Sequence, residues 1–172
     1  MSMRKSPLKE IKLFFELMFF KISPEALPYS KPLLYRVIIA YITMMGISLI
    51  QLHDHSGTEV ILPVILSTAI AIWVVHDYLK FKKIAERSLK LLLALLGSST
   101  IFFGLLLMAY LLLGHSAELF LFNFSLGLWE LMLKIYIFCL GLEISRGKAF
   151  LLVLGFDLLK AVPILHLVVA QQ

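Results

Sequence analysis

Four charged residues stand inside otherwise apolar stretches near the end of the chain: Glu130 and Lys134, then Asp157 and Lys160. Glu130 and Lys134 are spaced i, i+4, which puts both on one face of a helix; Asp157 and Lys160 are spaced i, i+3. A charge at the centre of a bilayer costs at least about 2.5–3.5 kcal/mol, so such residues face the interior of a bundle and pair there. Three roles compete for this set. It could be a structural clamp fixing helix register, a contact for a partner subunit, or a proton or ion relay. The two acids balance the two bases, and pairing disfavours the relay, which needs an unpaired carboxylate facing water.

Other chemistry-bearing residues are sparser. His53, Asp54 and His55 cluster in one connection, His115 and Glu118 in another, and His166 near the end of the chain. Imidazole suits zinc, copper, iron or nickel, yet no spacing here resembles a closed zinc site, and no metal is expected. Cys139 is the only cysteine and lies in an apolar run, so no internal disulfide can form. No nucleophile–base pair, phosphate-binding glycine loop or haem motif is present; no catalytic residue and no cofactor are expected, and the chain reads as a non-enzyme.

The elements that position the charges follow from composition. Hydrophobic residues make up 60% of the 172 residues and charged residues 16%, with a mean hydropathy of +0.94. A soluble domain carries about 25% charged residues. The chain is therefore expected to be all-α, a polytopic helical membrane protein with five transmembrane helices. The apolar runs are Leu33–Leu52, Val60–Val75, Leu89–Leu113, Phe120–Leu142 and Phe150–Ala170. The second is the shortest and gains length if His76 and Asp77 reach towards the interface. Residues 1–172 form one transmembrane domain, with 1–32 a cytoplasmic or interfacial segment and 33–170 the bundle. Short connections make sequential spans antiparallel neighbours.

Basic residues set the orientation. Arg4, Lys5, Lys9, Lys12, Lys21 and Lys31 precede the first span; Lys80, Lys82, Lys83, Arg87 and Lys90 follow the second; Arg146 and Lys148 follow the fourth. The first and third connections carry no Lys or Arg. The N-terminus is expected in the cytoplasm and the C-terminus outside. The net charge of +5 is used up in this pattern, and aromatic residues lie inside the apolar runs, so nucleic acid is not an expected partner. The expected partners are the lipid bilayer and other membrane proteins, or a second copy of the chain.

Leu8–Lys21 reads as an amphipathic helix, with Lys9, Lys12 and Glu16 on one face and Phe14, Phe15, Met18 and Phe19 dominating the rest. It is expected to lie in the cytoplasmic interface, or to pack on the bundle as a cuff. Ser23-Pro24-Glu25 reads as a helix start, and Pro28 and Pro32 break the chain before the first span. Gly97-Ser98-Ser99 and Gly104 mark small-residue packing surfaces, and Pro163 predicts a kink in the last span. Trp73, Trp129 and the tyrosines read as ordinary membrane aromatics. Counting from the connection shared by the last two spans, Lys134 and Asp157 both sit roughly 13 Å in, and Glu130 and Lys160 about a turn further. The registers predict pairs crosswise, Lys134 with Asp157 and Glu130 with Lys160.

Trp129, Gly141, Ser145 and the Gly147-Lys148-Ala149 turn resemble the tryptophan-bearing span and small basic turn of the Yip family. These are five-span membrane proteins that in eukaryotes interact with Rab GTPases and organise vesicle membranes. The long acidic-aromatic tail of the eukaryotic members has no counterpart here. Ser23-Pro24-Glu25 followed by Leu27-Pro28-Tyr29-Ser30 is similar to the stretch before the first span in short bacterial inner-membrane members. The resemblance implies a bacterial inner-membrane location and a scaffold that binds or organises other membrane components. A small transporter or channel subunit using the intramembrane charges is the alternative. A membrane assembly factor with an outer-face metal or cofactor site is the third reading.

Overall fold

The computed structural model describes residues 7–53, 57–114 and 116–169, and every regular element in them is helical. The helices are α1 (Pro7–Met18), α2 (Lys31–His53), α3 (Gly57–Phe81), α4 (Ser88–Leu113), α5 (Ala117–Leu142) and α6 (Arg146–Val169). Among the described residues, four helices are long and apolar enough to cross a membrane, within Lys31–Gln51, Glu59–Phe81, Ala85–Leu113 and Ala117–Leu142. The chain is a helical membrane protein on that ground. α3 runs on through His76 and Asp77 to Phe81, so the shortest apolar run belongs to a 25-residue helix.

α4 is the hub. Every residue from Leu91 to Ser99 is buried. The flanking helices bury single stripes: Leu33, Val37, Tyr41 and Met45 on α2, Val60, Val64, Ala71 and Val75 on α3, and Ala149, Val153 and Phe156 on α6. Spacings of three, four and seven residues keep each stripe on one face, leaving the rest of each helix to its surroundings. α2, α3, α6, α5 and α4 pack in that cyclic order, with α3 touching α4 as well. Large apolar side chains such as Leu112, Trp73 and Phe120 are exposed at 80%, 64% and 70%, an arrangement that suits lipid and not water.

Backbone geometry closes the helices. α1, α3 and α5 end on Phe20, Lys83 and Glu143, all with positive φ (58°, 60° and 53°). At the first two, paired bonds recapture the last carbonyls: Lys21 N–H to Glu16 O (2.9 Å) and Phe20 N–H to Leu17 O (2.9 Å), then Ile84 to Leu79 and Lys83 to Lys80 (both 3.0 Å). This is the Schellman closure, made here by residues that favour it less than glycine. α4 ends on Gly114, whose φ of 58° and ψ of −152° only glycine adopts readily. Ser30 and Ser116 cap α2 and α5, each accepting an N–H at 3.3 Å from Leu33 and Leu119. Ser23 precedes a short 3₁₀ turn, Pro24–Ala26, and makes no side-chain cap.

The connections of the basic end are tied together. Arg87 Nη1 lies 2.7 Å from Glu143 and 3.5 Å from Glu25, and Lys90 donates to the Glu25 carbonyl at 2.6 Å. These groups are substantially exposed and contribute about 0–1 kcal/mol per pair, but they bring the 3₁₀ turn, the start of α4 and the α5–α6 turn to one end.

α1 packs along the bundle. Phe14 seats its ring on Gly97, where a Cβ would collide with it. Glu10 lies 3.9 Å from Arg36, and the Met18 carbonyl accepts from Trp129 Nε1 at 3.1 Å. Arg36 is five residues into α2, Gly97 nine into α4 and Trp129 thirteen back from the end of α5, or about 8, 14 and 20 Å from the basic end. Glu10, Phe14 and Met18 are spaced four residues apart, about 6 Å per step. The two series match, so α1 lies nearly parallel to the bundle axis instead of across its end. After the turn at Phe20 the chain runs back: the Tyr136 hydroxyl donates to the Ile22 carbonyl at 3.4 Å, and Phe20 meets Tyr136 edge-on at 5.1 Å between centroids. Trp129 and Tyr136, read from sequence as membrane aromatics, instead dock this segment.

Candidate functional site

The charged residues of α5 and α6 meet at mid-helix. Lys134 is the centre. Its Nζ lies 2.9 and 3.1 Å from the two carboxylate oxygens of Asp157, and 3.2 Å from Glu130 Oε1. The Glu130 pair is within one helix, at the i, i+4 spacing; the Asp157 pair crosses between helices. Charge-assisted bonds of this length are about twice as strong as neutral ones. The Lys134 side chain is 10% exposed, Glu130 22% and Asp157 36%. The cation is enclosed, and the carboxylates form the rim.

α4 supplies a further ligand. Ser99 Oγ donates to Glu130 Oε1 at 2.7 Å. Ser98 next to it spends its hydroxyl on the Ala94 carbonyl of its own helix, at 2.7 Å. The Gly97-Ser98-Ser99 stretch therefore divides its work: Gly97 admits Phe14 of α1, and Ser99 holds Glu130 of α5. Gly104, anticipated as a packing surface, has nothing within 4 Å of where a Cβ would stand.

The second crosswise pair is not formed. Lys160 makes no ion pair with Glu130 among the described residues; its Nζ sits over the rings of Tyr41 and Phe156, 5.2 and 5.3 Å from their centroids. Matching heights did bring Lys134 to Asp157, but Lys160 lies three residues beyond Asp157, about 60° round the helix, and so turns towards α2. A ring face within about 6 Å attracts a cation through its quadrupole. Tyr41 was not singled out by sequence; a tyrosine inside an apolar run carries no signal of facing a lysine. Its hydroxyl, with those of Ser48 and Ser67, is buried and has no hydrogen-bond partner among the described residues.

In direct contacts the clamp has one cation for two carboxylates: Lys134 touches both, and Lys160, the second cation, lies over rings. Outward from Glu130 on α5, Gly127 and Asn123 follow at helical spacing on the same face, and both are exposed. A polar stripe thus leads from the outer half of α5 to the carboxylates.

Asp54, His55 and His115 lie outside the described residues, as do the side chains of His53 and His166. Among the described residues no group of three or more metal-ligating side chains occurs. Cys139 is half-buried, with Sγ 3.0 Å from the Ile144 carbonyl. α6 continues helically through Pro163. No protein family model matches the chain, and neither a curated protein nor a solved structure does.

Proposed function

We propose that this chain is a non-enzymatic five-span membrane protein that binds another membrane-embedded polypeptide through the α5–α6 face. The observation that carries it is Asp157. Its side chain is 36% exposed eleven residues into a 24-residue helix, where lipid would otherwise meet a carboxylate. That exposure costs about 2.5–3.5 kcal/mol against hydrocarbon and is removed when a partner helix covers it. Two carboxylates that share one contacting cation suit a partner that brings a Lys, Arg or His, and the Asn123–Gly127–Glu130 stripe gives that partner a polar, sterically small track.

On this reading α6 is the fifth span. It is 24 residues long and packs along α3 and α5, and its internal charges are those of the clamp. The alternation of basic and non-basic connections supports a cytoplasmic N-terminus and an outer C-terminus; a bacterial inner membrane is what the resemblance to the short bacterial members implies. α1 is then a wedge in the cytoplasmic half of the bundle, with Ile11, Phe15 and Phe19 turned outward to lipid. A scaffold that organises membrane components is also the role that the Yip-family resemblance implies.

Photo-crosslinking in native membranes tests the proposal. A crosslinker at Asn123 or Leu158, beside the clamp, is expected to give a discrete adduct with a partner or a second copy. One at Ile39, 66% exposed on α2, is not. Lipid-only adducts at all three positions would sink the reading.

A transport or relay role is favoured by a different observation: among the described residues the buried hydroxyls of Tyr41, Ser48 and Ser67 have no hydrogen-bond partner, and Lys160 makes no direct ion pair. Such a route predicts that cysteines at Ser67 and Ser48 react with a small water-soluble thiol reagent. Protection of both excludes a water-filled path.

A further inference from the structure

A cleft of about 260 Å³ opens on the other side of the molecule, between α1, α2 and α4. Its walls are Ile11 and Phe14 of α1, Val37 and Ala40 of α2, and Ile101 of α4. Thr100 also lines it, but its hydroxyl is engaged by the Leu96 carbonyl at 2.7 Å. Charged groups stand only at one end, where Glu10 and Arg36 face each other at 3.9 Å. The slot is many times larger than the ~30 Å³ share of a water molecule, and its lining gives water almost nothing to bond.

The two ends differ in height. Arg36 is about 8 Å from the start of α2, at the level of lipid headgroups, while Gly97 and Ile101 lie about 14 and 20 Å along α4, at acyl-chain level. The Arg36 side chain is 70% exposed and meets Glu10 by a single long contact, so most of its donors are uncommitted. An apolar slot running inward from an available guanidinium matches an amphiphile with an anionic head. Ile11, one of its walls, is 50% exposed, so the mouth of the slot faces the surrounding lipid.

We propose that this cleft binds one anionic phospholipid, its phosphate on Arg36 and one acyl chain between α1 and α2. Guanidinium–phosphate bonds are bidentate and charge-assisted, which favours a bare phosphodiester over one neutralised by a neighbouring choline. The bound chain then fills the gap beside Phe14 and helps hold α1 against α4. The proposal rests on α2 and α4 crossing a bilayer; it does not depend on the α5–α6 contact.

Native mass spectrometry of the full chain in detergent, titrated with phosphatidylglycerol or phosphatidylcholine of equal chain length, tests it. The unaltered protein is expected to hold phosphatidylglycerol about tenfold more tightly. Arg36→Gln should bring the two lipids to near equality, and Arg36→Lys should keep part of the preference. Ala40→Phe, which fills the slot, should weaken phosphatidylglycerol about tenfold with Arg36 intact. Equal retention of both lipids by the unaltered protein overturns the proposal, and so does an unchanged preference in Arg36→Gln. Should Arg36→Gln fail to fold, Ala40→Phe decides alone, with undiminished retention counting against. Glycerol phosphate displacing the lipid at equal concentration would mean that the acyl slot is unused, and that too overturns it.

Discussion

Lys134 takes both carboxylate oxygens of Asp157, at 2.9 and 3.1 Å, across the α5–α6 interface. Removing one partner of an enclosed pair leaves the other charge uncompensated, at a cost of about 3–5 kcal/mol. Lys134→Leu strands two carboxylates and is expected to lower stability by that amount or more. Adding Asp157→Leu should restore part of the loss, and adding Glu130→Gln should restore more. Thermal unfolding in detergent measures the series. A double change that is merely additive would show that Lys134 and Asp157 do not hold each other.

The height of this pair was legible from the shared α5–α6 turn, because rise per residue is fixed and both helices are counted from one point. The failure of Glu130 with Lys160 has the same origin: counting gives height and not direction around the helix. Ser99 reads as a packing residue and Tyr41 as a membrane aromatic, with no sign of their charged neighbours, because a hydroxyl in an apolar run is equally at home on its own backbone, as Ser98 and Thr100 are. The apolar runs were legible because bilayer-facing helices need length and little else. Where α1 goes was not, since a phenylalanine-rich face looks the same whether it covers lipid or protein. Only Gly97, bare opposite Phe14, marks the docking site, and a glycine in a long apolar helix has several uses.

That docking gives an expectation of its own. Gly97→Leu should expel Phe14 and release α1 from α4, whereas Gly104→Leu, with open space around it, should not. The readout is thiol labelling of Leu17→Cys in a background lacking Cys139. Leu17 is fully buried, so labelling should be slow in the parent and at least about tenfold faster with Gly97→Leu. Equal labelling in the two would mean that Phe14 does not anchor the helix.

Orientation is checked by reporter fusions. A reporter after Gln172 and one inside the 82–87 connection are expected on opposite sides of the membrane, with the basic connection inside. The same side for both would remove one crossing between them and with it the reading of α6 as a span.

The αL cap at Lys83 leaves room for improvement. Its φ of 60° suits glycine, and the exposed side chain forms no ion pair or hydrogen bond among the described contacts. Lys83→Gly is expected to raise stability by roughly 1 kcal/mol, the left-handed penalty of an ordinary residue less the entropy of the freed chain. The same change at Glu143 should gain less or nothing, because it gives up the 2.7 Å pair with Arg87. A loss of stability at Lys83 would contradict the strained-cap account.

The last expectation concerns Tyr41, whose ring lies under Lys160 and whose buried hydroxyl has no hydrogen-bond partner among the described residues. Ring and hydroxyl make separable contributions. A buried polar group left unsatisfied costs about 1–3 kcal/mol, so removing the oxygen alone should help the fold or leave it unchanged. Tyr41→Phe keeps the ring face for Lys160 and its edge contact with Phe103, 5.8 Å between centroids. It is expected to be neutral or to stabilise by up to about 1 kcal/mol. Tyr41→Leu removes the ring and should destabilise by about 2–4 kcal/mol, through lost packing and the exposure of Lys160 to an aliphatic wall. Thermal unfolding of both variants, with Lys160→Met as the partner change, completes the cycle. If Tyr41→Phe instead costs more than about 1 kcal/mol, the hydroxyl has a partner in the membrane, either water or a bound molecule, and the relay reading of this layer gains over the clamp.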